Sequence, residues 1–451
     1  MLTSTGVVHT RTSKCLLIGS GAREHCLAWK LAQSSLVGKL YCTPGNGGIR
    51  MLSEQTDKVV QLELPVRVED LFKDVCDFCL SSGVDFVIVG PENPLCDGIA
   101  DVLSGIGVHC FGPKKTAAIL EGSKAYAKEF MIRNNIPTAK FECFRGIEQI
   151  EAASSYVRRM WNENAASVVI KASGLAAGKG VIVPETLEEA LSAVEKNLKD
   201  KIHGSGSAEI IIEERLFGLE VSILALTDGT SVAPLPPSHD YKYVENGDKG
   251  PLSGGMGSVC PSSRLSPALF NKIIATIVRP TILAMKKEAN LFQGCLYTGI
   301  MLTLQGPKVL EYNVRFGDPE TQSLIPLIEN DLFSLIKSCC LADGTLEAIP
   351  ISLKPNSVAV SVVMASGGYP YTYRKGYKIE GLFPSTDMEK NVCIFHAGTK
   401  RGDDGSILTT SGRVLTVTAI APVKEEALKM AYNVTAKLEW PDCHYRQDIG
   451  L

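Results

Sequence analysis

Strand and helix patterns alternate along the first 115 or so residues, and this alternation constrains the fold more than any other feature. Short apolar runs end in glycine or proline at KCLLIGS, KLYCTPG, VDFVIVGPE and VHCFGP. Helical spacing of apolar residues lies between them, at residues 23–32, 68–80 and 95–104. The alternation predicts a parallel sheet with helices on both faces. In such sheets a ligand binds at the carboxyl ends of the strands, which here carry GSG, PGNGG and GPE.

Length and charge narrow the class of protein further. A chain of 451 residues predicts about three domains. With 46 Lys and Arg against 49 Asp and Glu, the net charge of -3 argues against nucleic acid or an anionic membrane as the main partner. The sequence has neither an apolar run of about 18 residues nor a secretory pattern near its start, so we expect no membrane span and a cytoplasmic location.

The glycine loop at residues 19–24 follows a strand and opens a helix, as a dinucleotide-binding fingerprint does. Glu24 stands where the third glycine or alanine belongs, and no acidic residue follows the second strand at the spacing of a ribose contact. Both departures disfavour a nicotinamide or flavin cofactor. Two interpretations stay open here, an anion site at the helix N-terminus and a tight turn without a ligand.

A second glycine loop, GLAAGKG at residues 174–180, joins two strand patterns and differs from a P-loop. Three residues separate its first two glycines, and Gly180 stands where a P-loop has Ser or Thr. Such a hairpin tip can carry Lys179 over phosphates, with Lys171 on the preceding strand pointing into the same site. The alternative is an ordinary turn.

The strongest signal is the segment EYNVRFGDPE, which starts at Glu311. Residues two apart on a strand face the same side, so Glu311, Asn313 and Arg315 should project together. A carboxylate and an amide oxygen suit Mg²⁺ held between protein and nucleotide phosphates. An adjacent arginine can stabilise charge on a phosphoryl group or an anionic substrate.

Other segments predict further elements. Ser123 is expected to cap a helix, residues 187–198 to form a helix, and EIIIEERL and EVSILAL to form strands. The Gly/Pro-rich residues 234–261 look too polar and broken to be core, and we expect a functional loop there. From about residue 346, three strand-rich segments and one helix predict a last unit.

In this order, the motifs resemble the ATP-grasp superfamily and, more closely, the phosphoribosylamine–glycine ligase family. The resemblance runs from Lys14 to the C-terminal YRQDIG and rests on these motifs: GSGAREH, PGNGG, GPENPL, EGSKAYAKEFM, IKASGLAAGKGVIV, GGMG, EYNVRFGDPETQ, HAGT and GRVL. It implies an α/β protein with an N-terminal parallel α/β substrate-binding domain, an ATP-grasp core with a mobile lid, and a small C-terminal α+β domain. We expect these at residues 1–115, 116–345 (the lid at about 136–203) and 346–451.

The resemblance also implies a reaction. Glycine would be joined to 5-phosphoribosylamine with ATP and Mg²⁺ or Mn²⁺, through glycyl phosphate, in de novo purine synthesis. In eukaryotes the family's domain is often fused to later enzymes of the same pathway, so fusion to or association with those enzymes is a further expectation.

Site residues carry over position by position from the family. The candidate catalytic residues are Arg315, Lys179 and Asp240. Candidate nucleotide-binding residues are Lys124, Lys171, Lys179, Glu213, Glu214, Arg215, Leu216 and Glu220, and candidate metal ligands are Glu311 and Asn313. Candidate substrate-binding residues are Gly19, Ser20, Gly21, Gly45, Asn46, Pro91, Glu92, Arg315 and Asp318.

Three positions depart from the family pattern. Tyr241 and Tyr243 stand in place of His and Arg, and Leu252 stands in place of Asn. Because the family's residues at 243 and 252 contact ATP, one alternative is a nucleotide-binding module with weakened or lost catalysis. Another is an ATP-grasp ligase acting on a different substrate, such as a carboxylase.

Overall fold

The N-terminal region is built around a five-stranded parallel sheet. The computed structural model describes residues 11–163, 167–175, 180–199, 209–382 and 391–451. The sheet order is β3-β2-β1-β4-β5, with strands β1 (Ser13–Gly19), β2 (Val37–Pro44), β3 (Val59–Gln61), β4 (Phe86–Val89) and β5 (His109–Phe111). The helices are α1 (Ala22–Ala32), α2 (Gly47–Gln55), α3 (Lys73–Ser82), α4 (Glu92–Asp97), α5 (Ile99–Gly105), α6 (Lys115–Gly122) and α7 (Lys124–Arg133).

Helices cover both faces of this sheet, as the strand–helix alternation predicted. Along β1, Cys15 and Leu17 belong to one hydrophobic cluster, whereas Leu16 and Ile18 belong to another. The apolar run of β1 is continuous because both of its faces are buried.

Two of the predicted helices differ from the structure. The apolar spacing at residues 68–80 predicted one helix, but α3 begins only at Lys73. Leu71 and Phe72 adopt left-handed backbone conformations, and Leu71 is 70% exposed. The helix predicted at residues 95–104 is divided between α4 and α5, because Gly98 lies in the left-handed region at φ 102°.

The next region forms a small antiparallel sheet covered by two helices. Its order is β6-β9-β7-β8, with β6 (Phe141–Arg145), β7 (Val168–Ala172), β8 (Val181–Ile182) and β9 (Glu209–Glu214). Helices α8 (Ile150–Glu163) and α9 (Leu187–Leu198) complete it, and the bounds of α9 match the prediction. Strand β9 pairs with β6 and β7 although it lies beyond residue 203, where the lid was expected to end.

Residues 234–261 contain four short strands, so the expectation of a loop outside the core was wrong in part. After β10 (Leu219–Thr227) and β11 (Val232–Pro234), these residues form β12 (His239–Asp240), β13 (Tyr243–Glu245), β14 (Lys249–Leu252) and β15 (Gly257–Cys260). All four residues of β15 are buried, and the strand pairs with a strand of the C-terminal region. The sequence pattern missed it because its four residues, Gly-Ser-Val-Cys, are small and lie in a Gly/Pro-rich stretch.

The rest of the chain supplies the central and C-terminal sheets. Helices α10 (Pro267–Ile273) and α11 (Arg279–Lys287), joined by a π-helical segment, precede β16 (Gly294–Thr303) and β17 (Gly306–Asn313), and α12 (Glu320–Leu324) and α13 (Leu332–Leu341) follow. The central sheet has the order β11-β10-β16-β17. The C-terminal sheet has the order β12-β15-β18-β22-β19, and β23 pairs with β18. Its strands from this region are β18 (Val358–Ser366), β19 (Val392–His396), β22 (Arg413–Ala421) and β23 (Cys443–His444). Strands β20 (Thr399–Arg401) and β21 (Ile407–Thr409) form a separate hairpin, and helix α14 (Lys424–Thr435) follows β22.

One helical stretch of the described residues, Pro267–Lys287, is long and apolar enough to cross a membrane by length and composition alone. Ile273, Ile277 and Ile282 on this stretch are fully buried in the core. Core helices often pass the same test, and we interpret this one as a core helix.

Candidate functional site

Two neighbouring cavities collect the predicted site residues. The larger, about 690 Å³, lies between the small antiparallel sheet, the central sheet and the N-terminal region, and the smaller is about 430 Å³. Asp318, Tyr369 and Arg413 line both. Within the described residues, each predicted site residue except Gly19 lines at least one cavity. Lys179 lies outside the described residues.

Strand β17 presents the predicted metal ligands to the larger cavity. Glu311, Asn313 and Arg315 line the cavity, and the alternating Val314 and Phe316 are buried on the other side. An irregularity in the β16–β17 pairing leaves Leu310 without a register partner on β16. The alternation of side chains between the two faces of the sheet therefore shifts by one residue just before Glu311. The Leu310 carbonyl instead accepts a hydrogen bond from the Lys171 Nζ at 3.3 Å.

The fit of these two residues to a cation follows from their donor atoms. Lysines 242, 171 and 124 lower the pKa of Glu311 below its usual value although burial alone would raise it, so the carboxylate is ionised. The Asn313 Nδ2 donates to the Tyr312 carbonyl at 2.9 Å, which leaves the amide oxygen to ligate. Among the described residues, no three His, Cys, Asp or Glu side chains are grouped so that they could hold a metal ion. The pair therefore suits a cation that takes its other ligands from phosphates and water.

A buried carboxylate fixes two lysines nearby. Glu213, at the end of β9, is 2% exposed and forms ion pairs with Lys171 and with Lys128, the latter at 2.5 Å. Burial alone would raise the pKa of Glu213, but the two lysines lower it. Lys124 lines the same part of the larger cavity. Burial lowers the pKa of Lys124, although the Glu311 charge opposes this change. We call Lys124, Lys128, Lys171 and Lys242 the lysine end of the cavity.

Lys242 joins two of the predicted site residues. Its Nζ lies 2.5 Å from a Glu220 oxygen and 3.6 Å from a Glu311 oxygen. Burial alone would lower the pKa of Lys242, but Glu220 and Asp240 raise it well above its usual value. Asp240, the third predicted catalytic residue, has a buried Oδ1 that finds no hydrogen-bond partner among the described residues, and burial raises its pKa strongly.

The other end of the cavity depends on arginines, and we call Arg23, Arg315 and Arg413 the arginine end. Arg315 donates from Nε to Glu92 at 2.9 Å and pairs through NH2 with Glu121 at 2.8 Å. Glu92 has its pKa lowered to about 2 because Arg315 and Arg23 outweigh its burial. Burial raises the pKa of Glu121 to about 7 in spite of Arg315, and the Glu92 charge adds to that rise. One arginine therefore holds one ionised carboxylate and one that titrates near neutral pH.

Arg413 and Asp318 connect the two cavities. Their side chains lie 3.0 Å apart, and the Arg413 NH1 also donates to the carbonyls of Asp318 and Gly254 at 2.9 and 2.6 Å. The pKa of Asp318 is lowered, since Arg413 and Arg23 overcome the effect of burial. Asp318 is thus a fixed anion at the opening between the cavities.

The glycine loop after β1 is closed by a side chain of its own helix. The Gly21 N–H donates to a Glu24 oxygen at 2.6 Å, and the other Glu24 oxygen accepts from the Arg23 Nε at 2.5 Å. A Cβ on Gly19 would lie 2.4 Å from the Glu24 Cγ, so this position requires glycine to let Glu24 pack beneath the loop. The anion at this helix N-terminus is therefore the Glu24 carboxylate, which also explains why the third glycine is missing.

Asn46 has its polar atoms engaged within the protein. Its Oδ1 accepts from the Gly48 and Ile49 N–H groups at 3.0 Å each, which caps α2. Its Nδ2 donates to the carbonyls of Ser20 and His396 at 2.9 and 2.6 Å. Asn46 thus joins the two loops and the C-terminal region that line the smaller cavity, and direct substrate contact by its side chain stays a prediction.

Sequence reasoning missed several residues that the fold brings to the site. Glu121, Lys128 and Arg413 lie within motifs that carried the resemblance, EGSKAYAKEFM and GRVL, and a charged residue on an otherwise apolar helix face was the available signal for the first two. Glu320 ends the EYNVRFGDPE segment that gave the strongest signal but was assigned no role, and its buried carboxylate accepts from the Ser222 hydroxyl at 3.1 Å.

Comparisons with known proteins agree with this geometry. Family models for the N domain, the ATP-grasp (A) domain and the C domain of phosphoribosylglycinamide synthetase match residues 13–121, 122–321 and 359–451. The phosphoribosylamine–glycine ligase of Rhodopirellula baltica is 43% identical over 438 residues, with 96% of each chain covered. The chain belongs to the phosphoribosylamine–glycine ligase family.

Two further relatives show how much of each chain is covered by the similarity. The solved structure of the family's ligase from Thermotoga maritima has a TM-score of 0.78 and 31% identity, and the match covers 97% of this chain and 100% of that one. The trifunctional purine biosynthetic protein adenosine-3 of Gallus gallus is 43% identical over 437 residues, but the chain spans only 42% of its length. Members of the family are ATP-dependent ligases of purine biosynthesis, which does not favour the alternatives of lost catalysis or another substrate.

The three departures from the family pattern have distinct surroundings. Tyr241 is 6% exposed, lies beneath the guanidinium groups of Arg264 and Arg446, and accepts a hydrogen bond from the Gly450 N–H at 2.8 Å. Tyr243 and Leu252 are directly opposite each other across β13 and β14, and both line the larger cavity. The departure at 241 is thus part of a packed core, whereas the other two form a single cross-strand pair facing the site.

Proposed function

We propose that the chain joins glycine to 5-phosphoribosylamine with ATP, giving glycinamide ribonucleotide, ADP and phosphate through glycyl phosphate. The observation that carries the proposal is a single cavity in which an ionised Glu311 and Asn313 lie between buried lysines and Arg315. Such a cavity suits phosphoryl transfer to a carboxylate, which needs mainly placement and neutralisation of charge.

The lysine end is proposed to take the nucleotide. Lys124 and Lys171, with Lys179 from the glycine loop, contact its phosphates, and the Glu220 carboxylate accepts from the ribose. The backbone of Glu214 and Leu216, beside Glu213 and Arg215, reads the edge of the adenine. Because Glu213 already binds two lysines, its side chain acts by orienting Lys171 rather than by touching the base.

Glu311 and Asn313 are proposed to hold Mg²⁺, or Mn²⁺ in its place. The cation supplies neutralisation of phosphate charge when it is bound. A two-ligand protein site suits Mg²⁺, which usually keeps waters and substrate phosphates as its other ligands.

The arginine end is proposed to take the other two substrates. Arg315 and Asp318 orient the anionic and cationic groups of glycine and the ribosylamine, together with Pro91 and Glu92. Ser20, Gly21, Gly45 and the region near Asn46 border the smaller cavity, which is proposed for the sugar phosphate. Asp240, whose pKa is raised well above its usual value by burial although Lys242 opposes the rise, is proposed to hydrogen-bond near the transferring group.

ADP release by the purified chain with Mg²⁺ tests this proposal. Release that requires both glycine and 5-phosphoribosylamine is expected, and nucleotide binding without turnover would contradict it. Glu311→Gln should lower turnover more than about 100-fold, since even an outer partner of a metal ligand typically contributes 10–100-fold. The matched control is Glu347→Gln at an exposed position away from both cavities, which should leave turnover unchanged.

The domain boundaries, the cytoplasmic location and the association with later pathway enzymes stay predictions. The fused organisation is a property of relatives such as the trifunctional protein.

A further inference from the structure

The hairpin formed by β13 and β14 contributes to the larger cavity without belonging to any of the large sheets. Within the described residues it forms a two-stranded sheet of its own. Lys242, Tyr243, Leu252 and Ser253 from this hairpin and its flanks line the cavity. Isolated two-stranded hairpins are marginally stable in water, so contacts elsewhere must hold it over the site.

Residues 444–450, which we call the clasp, supply those contacts. Arg446 is 1% exposed, and its NH1 donates to the Tyr243 carbonyl at 3.0 Å and to Asp248 at 2.8 Å. Its Nε and NH2 pair with both oxygens of Asp448 at 2.8 and 2.7 Å, and its guanidinium lies over the Tyr241 ring at 5.1 Å. One side chain therefore contacts the first residue of strand β13, Tyr241 just before the strand, and the turn that follows it.

Backbone contacts extend the clasp along the hairpin. The Gly247 N–H donates to Asp448 at 2.7 Å, and the Gln447 N–H donates to the Asn246 side-chain oxygen at 2.9 Å. His444 contacts the Val244 carbonyl through Nε2 at 2.8 Å. The hairpin turn is thus bound at several points, so its position follows the position of the clasp.

The clasp itself is anchored in the C-terminal core. Its neighbouring strand β23 pairs with β18, and Ile449 is fully buried in the core cluster. The Tyr432 hydroxyl donates to the Arg446 carbonyl at 2.9 Å and accepts from the Ile449 N–H at 3.1 Å. The clasp is therefore a fixed support for the hairpin.

The cavity residue most dependent on this support is Lys242, which immediately precedes β13. The Ser253 hydroxyl and N–H both donate to the Lys242 carbonyl at 2.8 Å, which ties Lys242 to the far strand as well. Its Nζ reaches both Glu220 and Glu311. A shift of the hairpin would move this ammonium group away from the proposed ribose acceptor and metal ligand.

We propose that Arg446 is a positioning residue for nucleotide binding, which acts by fixing the hairpin and so keeping Lys242 between Glu220 and Glu311. The inference rests on the proposed use of ATP. It assigns a role in the site to a side chain that lines neither cavity.

The test measures the apparent KM for ATP, the KM for glycine and, by calorimetry without glycine, the dissociation constant for ATP with Mg²⁺. Arg446→Met should raise the apparent KM for ATP and the dissociation constant for ATP by about tenfold each, the size of effect typical for hydrogen bonds to a charged group. The KM for glycine should stay within about twofold, because Arg315 is held independently of the hairpin. An unchanged affinity for ATP in folded Arg446→Met protein would overturn the inference.

A double variant separates positioning from general stability. In the Lys242→Met background, Arg446→Met should lower the affinity for ATP no further, since the effects of two residues that act through one another are not additive. An equal effect in both backgrounds would contradict action through Lys242. Arg133→Met is the matched control, because Arg133 also stacks on a tyrosine and pairs with a carboxylate, Glu288, but lines neither cavity.

A milder variant keeps the test decisive if Arg446→Met does not fold. Asp248 has a side chain 63% exposed, so Asp248→Asn removes the charge from one contact of Arg446 without opening the core. This variant should raise the dissociation constant for ATP by about threefold, toward the lower range for a charged hydrogen bond. If the wild-type chain showed no turnover, the proposed function would be contradicted. The role of Arg446 would still be decided by comparing the calorimetric dissociation constants for ATP.

Discussion

The two ends of the larger cavity hold their charges in different ways. At the arginine end, each guanidinium pairs with a carboxylate and also donates to a backbone carbonyl, as Arg23 and Arg315 do to Phe316 at 3.1 and 3.2 Å. At the lysine end, the short contacts go to carboxylates and to the Thr138 hydroxyl, and the contacts of Lys124 and Lys171 with carbonyls are longer, at 3.3 Å each. Arginines are thus tied to the backbone as well as to carboxylates, whereas lysines are tied chiefly to side-chain oxygens.

This difference follows the chemistry of the two side chains. A guanidinium is a planar fork with several donors in fixed directions, whereas an ammonium is a compact charge on a flexible stem. The lysine end can exchange a carboxylate for a phosphate with a small movement of each Nζ. The arginine end is organised in advance and can orient small charged substrates, which have few atoms by which to be held.

Removing one cation from each end should produce the largest difference. Arg315→Met leaves Glu92 and Glu121 close together without their shared cation, and breaking such a buried pair typically costs about 3–5 kcal/mol of unfolding free energy. In Lys171→Met, Glu213 keeps Lys128, so the loss should be only about 1.5 kcal/mol. Urea unfolding of the two variants and the wild type measures both values.

Arg145→Met serves as the control for these two variants. Arg145 pairs with Glu209, but its side chain is 77% exposed, so Arg145→Met should lower the free energy of unfolding less than either of the other two variants. Equal losses for Arg315→Met and Lys171→Met would show that the two ends are not organised differently.

The pH dependence of stability should distinguish the carboxylates that share Arg315. Burial and the Glu92 charge raise the pKa of Glu121 from 4.5 to about 7, although Arg315 and Arg23 oppose the rise. The folded state then binds more protons than the unfolded state between these values, so stability is lost as pH rises from about 5 through about 7. Glu121→Gln should abolish this loss, seen as a flatter melting temperature between pH 5 and pH 8.

A matched substitution of the other carboxylate has the opposite sign. Arg315 and Arg23 lower the pKa of Glu92 to about 2 against the effect of burial, so its contribution to stability is present above pH 4.5 and is lost only as pH falls toward 2. Glu92→Gln should therefore lower the melting temperature over pH 5–8, and by less toward pH 8, because the Glu92 charge also raises the pKa of Glu121. A flat wild-type profile in that range would contradict the assignment for Glu121.

Local chemistry made much of the fold and the metal strand predictable. The Ser123 hydroxyl accepts from the Tyr126 N–H as a helix cap should, and the two-residue spacing at the end of β17 and just beyond it brings Glu311, Asn313 and Arg315 into one cavity. These features depend on residues a few positions apart, which sequence patterns describe well.

The partners of those residues could not be predicted in the same way. Arg315 and Glu92 are 223 positions apart, and the Glu213 pairs with Lys128 and Lys171 join three separate elements. Strand β15 was missed because its burial comes from its neighbour β18 and not from its own composition. The missing third glycine was read correctly as a departure, but only the structure shows the Glu24 carboxylate packed beneath the loop.

The smallest expected effect comes from making the lysine end resemble the arginine end. Tyr243→Arg with Leu252→Asn restores the family's residues at a cross-strand pair that faces the cavity, so the new guanidinium and amide gain access to the nucleotide. The apparent KM for ATP should fall by up to about tenfold, as one additional charged hydrogen bond allows. Glu245→Gln changes the charge of the same hairpin by one unit outside both cavities, and it should leave this KM unchanged. An equal fall in the KM for ATP in both variants would mean that the overall charge of the hairpin matters. An unchanged KM in the double variant would mean that the clasp holds position 243 where an arginine does not reach ATP.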